Sequence, residues 1–283
     1  MSTQVLLIYD VLSDFVISSY IGKMKPGERG IYRTLLPSVK IPNALFLMDR
    51  GFGCFEVCKS ILSKGNRFCI RFSDSNSTFA RKIMLMEGND FVIDWYPSRR
   101  ENKSCIIHGH DRDFIKVRVT KVLLNSGEVE LLVSNLLDFK QVTEMEIGKL
   151  YYKRWGVEEG IKKLKSKMKL EHFGCKVPKG IYQEFEAHIF MMNLVSILGE
   201  EAKEEVSAKT KERKFVHKYN WQNAYVYTRG RIMQLFGERN DPQKTIEKLT
   251  ELFSLSPTAI KPDRKFSRKT KRNKKPRQHQ CYK

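Results

Sequence analysis

The sequence predicts an α/β fold, and two patterns along the chain support this prediction. Over the first 72 residues, short apolar stretches alternate with stretches of helical spacing, in the order strand, strand, helix, strand, helix, strand. Farther along, residues 140–170 show helical spacing with many charges, and residues 181–200 form a largely apolar helix. Strands that alternate with helices are typical of a sheet covered by helices.

The first part of the chain, residues 1–72, supplies four predicted strands and two predicted helices. Residues 4–9 and 14–21 are apolar runs joined at Ser13 and Asp14, which predicts a hairpin. The other predicted elements here are helices over 27–38 and 54–64 and strands over 44–48 and 67–72.

The rest of the chain divides into four predicted segments. Residues 73–138 carry short alternating stretches between Gly and Asn turns, which predicts a β-rich insertion. The following segment, 139–200, holds one long helix, or two helices with a break near Gly156, and the apolar packing helix. A helical region over 201–260, with helices at 214–237 and 241–254, and a basic tail over 261–283 complete the chain.

The net charge of +20 on 283 residues indicates a polyanionic partner, usually a nucleic acid. Residues 261–283 contain 11 Lys or Arg and one Asp, so this tail supplies half of the excess charge. We expect the tail to be disordered when free and to bind phosphates, although a solvated tail that aids solubility is the alternative. No apolar run approaches ~18 residues, so no membrane span is expected.

The six cysteines form no C-x2-C pair, and we expect them to be free thiols in a reducing compartment. The N-terminus lacks the pattern of a signal peptide. His108 and His110 alternate as they would on one face of a strand, but no further ligand lies near them in the sequence. We therefore do not expect a metal site at these histidines.

The most informative motif is Tyr151-x2-Arg154-x3-Glu158-x6-Lys165. At about 100° per residue, these four positions fall within an arc of roughly 60° on one ideal helix. One helix face would then carry an aromatic hydroxyl, a guanidinium, a carboxylate and an ammonium. A carboxylate among cations can hold a metal ion while its neighbours hold phosphates.

This spacing resembles the signature helix of DDE transposases of the insertion sequence 4 family, in which Trp155 and Glu159 also fit. Residues 44–53 look like the family's second-aspartate segment, and residues 131–136 look like the strand before the signature helix. Residues 264–269 look like the family's basic C-terminal end. The resemblance implies an RNase H-like fold interrupted by the β-rich insertion.

The resemblance implies that Asp49 and Glu158 are catalytic carboxylates that bind Mg²⁺, two ions in the complete family site. From the residues alone, Asp49 at the end of a strand could instead cap the helix over 53–64. Glu158 could instead form a surface ion pair with Arg154 or Lys162. Both alternatives remain open at this point.

The resemblance also implies the partners. Double-stranded DNA, as transposon ends and target, would be cut and joined by a homodimer in the bacterial cytoplasm, associated with the nucleoid. Four residues are expected to hold this DNA: Tyr151, Arg154, Lys162 and Lys165. Trp155 is expected to pack in the core rather than to contact a nucleotide.

One departure from the family pattern concerns the first catalytic aspartate. The family site has three carboxylates, and the chain begins with what looks like the family's second strand, so the first strand and its Asp are expected to be missing. Asp10 follows a strand, but its surroundings indicate the hairpin turn. We therefore expect a transposase-derived chain that is inactive alone, either a truncated remnant or the downstream half of a frameshifted element. The alternatives are a non-catalytic DNA-binding remnant and, less favoured, a nuclease of the same fold.

Overall fold

A computed structural model of the chain describes residues 3–23, 25, 27–73, 78–170, 173–238 and 241–261. The predicted basic tail lies outside the described residues, apart from Lys261. The chain forms two compact units: unit 1 comprises Met1–Leu6 and Gly22–Gly156, and unit 2 comprises Leu7–Ile21 and Val157–Lys283. The five segments inferred from the sequence have other boundaries and stay a prediction.

The hairpin predicted at the start of the chain is confirmed. Strands β1 (Thr3–Asp10) and β2 (Phe15–Lys23) pair in a two-stranded sheet of their own. Asp14 closes the turn with a positive φ of 62°, which Asp tolerates better than most residues. Asp10 accepts hydrogen bonds from the Leu12 N–H and the Ser13 hydroxyl, so its carboxylate serves the turn.

A five-stranded mixed sheet forms the centre of unit 1 and confirms the predicted α/β class. Its strand order is β3-β4-β7-β6-β5, with β3 and β4 parallel and the other neighbours antiparallel. The bounds are β3 (Leu45–Met48), β4 (Arg67–Phe72), β5 (Asp90–Trp95), β6 (Ile115–Leu123) and β7 (Val129–Ser134).

The strand order places β4, β7 and β6 in the interior of the sheet. Leu45 lies opposite Arg67, and Cys69 lies opposite Ser134. Consecutive residues of β4, from Phe68 to Ile70, are fully buried. A strand that is buried on both faces has a nearly continuous apolar sequence instead of an alternating one. This pattern predicts β4, and the structure confirms its range, Arg67–Phe72.

Segment 73–138 contains two helices that the sequence did not lead us to expect. They are α3 (Thr78–Met84) and α4 (Arg99–Ile107), and α4 begins with a capping box between Ser98 and Glu101. The strands of this segment extend the main sheet through the pairing of β7 with β4. The other helices of unit 1 are α1 (Glu28–Leu35), α2 (Phe55–Leu62) and α5 (Glu144–Tyr152), with a 3-10 turn at Leu36–Ser38.

The motif region is interrupted, as the two-helix alternative anticipates. Helix α5 ends at Tyr152, a turn follows at Lys153 and Arg154, and α6 (Trp155–Lys162) continues into a π-helical turn, Lys163–Lys167. Gly156 lies in the first turn of α6, two residues after the break, so the break lies near Gly156 as predicted. Unit 1 ends at Gly156, so the motif is shared between the two units.

Unit 2 is built around one long helix, α7 (Pro178–Thr210), which extends beyond the predicted 181–200 at both ends. The helix predicted over 214–237 begins only at residue 221 and breaks at Arg231, giving α8 (Trp221–Gly230) and α9 (Ile232–Phe236). Helix α10 (Pro242–Leu255) follows the prediction closely. Two short strands that were not predicted, β8 (His217–Lys218) and β9 (Thr258–Ala259), pair with each other.

The core of unit 2 is apolar and is formed by α7, α8, α9 and α10. Its buried members are Val195, Leu198, Ala202, Val206, Tyr219, Ala224, Leu235, Leu249 and Phe253. Five cysteines in the described part of the chain are free, as expected: Cys54, Cys58, Cys69, Cys105 and Cys175. Across the described ranges, no helix has the length and apolar character needed to cross a membrane.

Candidate active site

Asp49 lies at the carboxyl end of β3, on the surface of unit 1. The four residues of β3 are apolar, and Asp49 is the first polar residue after them. Its Oδ1 accepts a hydrogen bond of 2.9 Å from the Gly51 N–H and thereby caps a 3-10 turn, Arg50–Phe52. The alternative that Asp49 caps the following helix is not what we find, because α2 begins after Cys54.

The glycines after Asp49 serve two different purposes. A Cβ at Gly51 would lie 3.0 Å from Asp49 Oδ1 and 3.4 Å from a carboxylate oxygen of Glu28, so two acidic side chains converge on this position. A Cβ at Gly53 would instead meet β4, 3.2 Å from the Arg71 carbonyl. Gly51 therefore leaves room beside the carboxylates, and Gly53 lets the chain pack against the sheet.

Sequence reasoning missed Glu28, which is the first residue of α1. The only available signal was an acidic residue in the first turn of a predicted helix, a position that usually complements the helix dipole. The neighbouring Arg29 donates from Nε to the Gly51 carbonyl at 2.7 Å. The turn after Asp49 is thus held by α1 as well as by its own hydrogen bonds.

Helix α5 packs against the face of the sheet that leads to Asp49. Tyr151 and Ile147 of α5 belong to one buried cluster with Leu132 and Cys69 of the sheet. Leu47, two residues before Asp49, packs against the same cluster. The strand that ends at Asp49 and the helix that carries Tyr151 are therefore parts of one packed layer within unit 1.

Tyr151 is buried, and Arg154 lies in the turn that follows its helix. Tyr151 is 3% exposed, and burial raises the pKa of its hydroxyl. The guanidinium of Arg154 lies 5.7 Å from the centre of the Tyr151 ring and 5.0 Å from that of Trp155. Trp155 is 46% exposed, so our expectation that it packs in the core was wrong. The two rings hold the Arg154 side chain by cation–π contacts.

The acidic and basic side chains of α6 lie on the surface of unit 2. Glu158, Glu159 and Lys162 are exposed, and so is Lys165 in the π-helical turn. Lys162 donates to Glu159 at 3.2 Å. An exposed pair of this kind contributes little stability, about 0–1 kcal/mol.

The break and the π-helical turn overturn the prediction that four motif side chains share one arc of an ideal helix. Tyr151 lies in α5, Arg154 in the turn and Glu158 in α6. Lys165 lies where each turn contains more residues than in an α-helix, which shifts its direction. The four motif residues therefore do not lie along one face of a single continuous helix.

The π-helical turn is held by a partly buried ion pair that the sequence did not predict. Lys163 Nζ donates to the Asp14 carboxylate and lies 5.3 Å from the centre of the Trp221 ring. The Tyr9 hydroxyl donates to the same carboxylate, and its ring is so close to Gly160 that a Cβ there would lie 2.9 Å away. Burial lowers the pKa of Lys163, and the Asp14 charge opposes that effect.

Comparison with known protein families decides the classification. The family model described as the transposase DDE domain matches residues 2–194. The chain belongs to the transposase DDE domain family. No curated protein matches it. Membership supports a transposase function with DNA as the substrate, and the five-stranded mixed sheet with its helices is consistent with the RNase H-like fold of DDE domains.

DDE transposase domains generally use divalent metal ions, and the surroundings of Asp49 fit such an ion. Carboxylate oxygens are preferred ligands of Mg²⁺, and Asp49 offers an exposed one where Gly51 leaves space. Glu158 offers a second exposed carboxylate, in unit 2. The described residues contain no group of three His, Cys, Asp or Glu side chains placed to hold a metal.

The His108–His110 segment has structural contacts of its own. His108 is the C-cap of α4 and is not part of a strand, which corrects our expectation. His110 Nε2 lies 4.0 Å from the buried carboxylate of Glu56, and Asp111 pairs with Lys59. These contacts link the loop after α4 to α2.

Proposed function

We propose that this DDE domain binds transposon-end DNA and contributes to its metal-dependent cleavage and strand transfer. Family membership over residues 2–194 carries the proposal, and the exposed position of Asp49 at the end of β3 supports it. The carboxyl ends of strands are where open α/β sheets usually place their functional residues. The net charge of +20 supports DNA as the partner.

Asp49 and Glu158 are each proposed as carboxylate ligands of Mg²⁺. When bound, a pair of Mg²⁺ ions supplies activation of water or of a DNA 3′-hydroxyl and stabilises the leaving oxygen. Asp49 is fixed for this purpose by its bond to the Gly51 N–H, which leaves its carboxylate exposed. The substitutions Asp49→Asn and Glu158→Gln keep the shape of each side chain but remove the anionic ligand.

Arg154, Lys162 and Lys165 are proposed to bind DNA phosphates. Arg suits this role because its planar guanidinium donates two parallel hydrogen bonds, and the rings beside Arg154 restrict its side chain before DNA arrives. Tyr151 is proposed to act through Arg154, since its own hydroxyl is buried. The ion pair between Lys162 and Glu159 is weak enough to open when a phosphate approaches.

We also propose that this chain does not cut DNA by itself. Residues matching the family pattern supply two of its three carboxylates, Asp49 and Glu158, and two nearby Mg²⁺ ions repel each other unless enough anions lie between them. The second candidate is a DNA-binding protein without catalysis. The excess of basic residues favours it, because these residues can bind DNA whether or not the carboxylates form a working metal site. The homodimer on paired ends, as well as the association with the nucleoid, remains a proposal from the resemblance.

A binding experiment separates the two candidates. The affinity of the full chain for DNA containing its own gene and flanking sequence is measured with and without Mg²⁺, at matched ionic strength. A metal-binding site predicts tighter binding in Mg²⁺, because the ions offset repulsion between carboxylates and phosphates, and predicts that Asp49→Asn and Glu158→Gln reduce this gain. Equal affinity with and without Mg²⁺ in all three proteins would favour the non-catalytic candidate.

A further inference from the structure

Two short strands in unit 2 bring the end of the described chain beside an earlier basic segment. In the ribbon formed by β8 and β9, His217 lies opposite Ala259 and Lys218 lies opposite Thr258. The Ile260 N–H donates to the Val216 carbonyl at 2.8 Å, which continues the pairing beyond the strands. Lys261 is thereby placed next to the segment 211–218, although the two are far apart along the chain.

Five exposed cations lie in the two segments that the ribbon joins, 211–218 and the end of the described chain, and we refer to them as the ribbon surface. They are Lys211, Arg213, Lys214, Lys218 and Lys261. Within the part of the chain that the structure describes, none of the five has a carboxylate within ion-pair distance. The segment 211–218 contains one acidic residue, Glu212. The ribbon surface is therefore a concentration of positive charge that the described residues do not neutralise.

Two of these cations, Lys214 and Lys261, contact the same aromatic ring, that of Phe215. Lys214 Nζ lies 5.7 Å from the centre of the Phe215 ring, and Lys261 Nζ lies 5.8 Å from it. A cation–π contact orients an ammonium group but leaves its full charge in place. Two ammonium groups held on one ring repel each other, so an anion that bridges them would relieve that repulsion.

The ribbon surface lies close to the motif residues of the same unit. Burial lowers the pKa of Lys163, Asp14 opposes this, and the charge of Lys218 lowers it further. Lys163 also lies 5.3 Å from the centre of the Trp221 ring, and Trp221 follows Lys218 by three residues, so this part of the chain lies beside the π-helical turn that carries Lys165. Positive charge therefore extends within unit 2 from the π-helical turn to Lys218 on the ribbon.

We infer that the ribbon surface binds the phosphate backbone of double-stranded DNA, as a second contact area outside residues 2–194. The inference rests on the proposed function, because it takes DNA as the partner. Four of the five cations are lysines, which bind phosphate as point charges, and phosphate contacts carry no sequence information, so we expect binding here to be independent of sequence. The chain continues from Lys261 into residues 262–283, which contain ten more Lys or Arg, so the basic sequence starts at this surface.

The test measures the affinity of the full chain for a duplex of arbitrary sequence over a range of salt concentrations. The variant Lys214→Gln/Lys261→Gln removes the two ammonium groups on Phe215. The control Lys244→Gln/Lys248→Gln removes the same charge from exposed positions of α10 in the same unit. Both variants keep the tail, so any difference between them belongs to the ribbon surface.

We expect the ribbon variant to bind about tenfold more weakly than the control, with a salt slope shallower by about 0.9 for each phosphate that the variant no longer neutralises. Lys211→Gln/Arg213→Gln is expected to behave in the same way and guards against a folding defect in the first variant. Equal affinities and slopes for ribbon and control variants would overturn the inference alone. Failure of the unaltered chain to bind any duplex at low salt would overturn the proposed function as well.

Discussion

Two ion pairs, one in each unit, differ in how far their charges are removed from solvent. In unit 1, Arg118 is 0% exposed, donates to both oxygens of Asp90 at 2.7 and 2.5 Å, and also donates to the Val142 carbonyl just before α5. In unit 2, Lys163 donates to Asp14, and both side chains keep some contact with solvent. The first pair is enclosed, and the second is partly hydrated.

The two ion pairs also differ in whether the structure near them can be predicted from the local sequence. The start of α5 has a local signal, the capping box of Thr143 and Glu146, and Arg118 reinforces it. The π-helical turn has no such signal, since its partner Asp14 lies 149 residues away in the chain. The start of α5 could therefore be predicted from the local sequence, whereas the π-helical turn could not.

The largest expected effect comes from breaking the enclosed pair. Arg118→Met leaves the Asp90 carboxylate buried without its partner, which should lower the free energy of unfolding by about 3–5 kcal/mol. Urea denaturation followed by circular dichroism measures this change. Adding Asp90→Leu to Arg118→Met should recover much of the loss, because an apolar pair needs no counter-charge.

The neighbouring exposed pair on β6 provides the control. Lys116 lies 3.3 Å from Asp94, with both side chains about half exposed, so Lys116→Gln should cost less than about 1 kcal/mol. Similar losses for Lys116→Gln and Arg118→Met would contradict the importance of enclosure.

A smaller effect is expected at the partly hydrated pair. Asp14→Asn leaves Lys163 without its counter-charge, and the loss in stability should be about 1–2 kcal/mol, reduced by the hydration of Asp14. Lys203→Gln on α7, which breaks an exposed pair with Glu200, should change stability by less than about 1 kcal/mol. If Asp14→Asn destabilises as strongly as Arg118→Met, the contrast between the two pairs is wrong.

The role of the turn at Lys153 and Arg154 is tested by measuring DNA binding rather than stability. Arg154→Gln removes the guanidinium held between Tyr151 and Trp155 and should weaken duplex binding about tenfold, with a salt slope shallower by about 0.9. Lys153→Gln removes the same charge from the adjacent exposed position and should weaken binding less. Equal losses would indicate a general charge effect without a placed contact.

The smallest effect on DNA affinity is expected for Glu158→Gln in the absence of metal. Removing a negative charge near DNA should leave affinity unchanged or raise it slightly, about two- to threefold. Glu159→Gln frees Lys162 from its exposed pair and should have a similar small effect. A marked loss of metal-free affinity in Glu158→Gln would mean that this side chain has a structural role.

Much of unit 1 was predictable because its strands are short apolar runs with clear ends. Strands β3 and β4 agree with the predicted ranges, and Asp49 lies at a strand end as predicted. The hairpin, most of which belongs to unit 2, was predicted as well. The helices α3 and α4 were missed because their segment also contains strongly alternating strands. Glu28 was missed because only the folded chain brings α1 to the turn after Asp49.

The candidate site residues stay a prediction from the sequence, and the geometry of the motif differs from the one that the sequence predicts. Projection onto an ideal helix assumes 3.6 residues per turn without interruption. The break at Lys153 and Arg154 and the π-helical turn remove that assumption, and the burial of Tyr151 follows from packing against the sheet. Such features depend on contacts between distant residues, which a local pattern does not contain.

The most direct test of the central claim is a strand-cleavage assay in Mg²⁺ with the full chain, on DNA containing its gene and flanking sequence. We expect a protein–DNA complex that forms without cleavage, because we propose that Asp49 and Glu158 alone do not complete the metal site. Efficient cleavage that Asp49→Asn and Glu158→Gln abolish would contradict the proposed inactivity and would show that this chain holds a complete catalytic site.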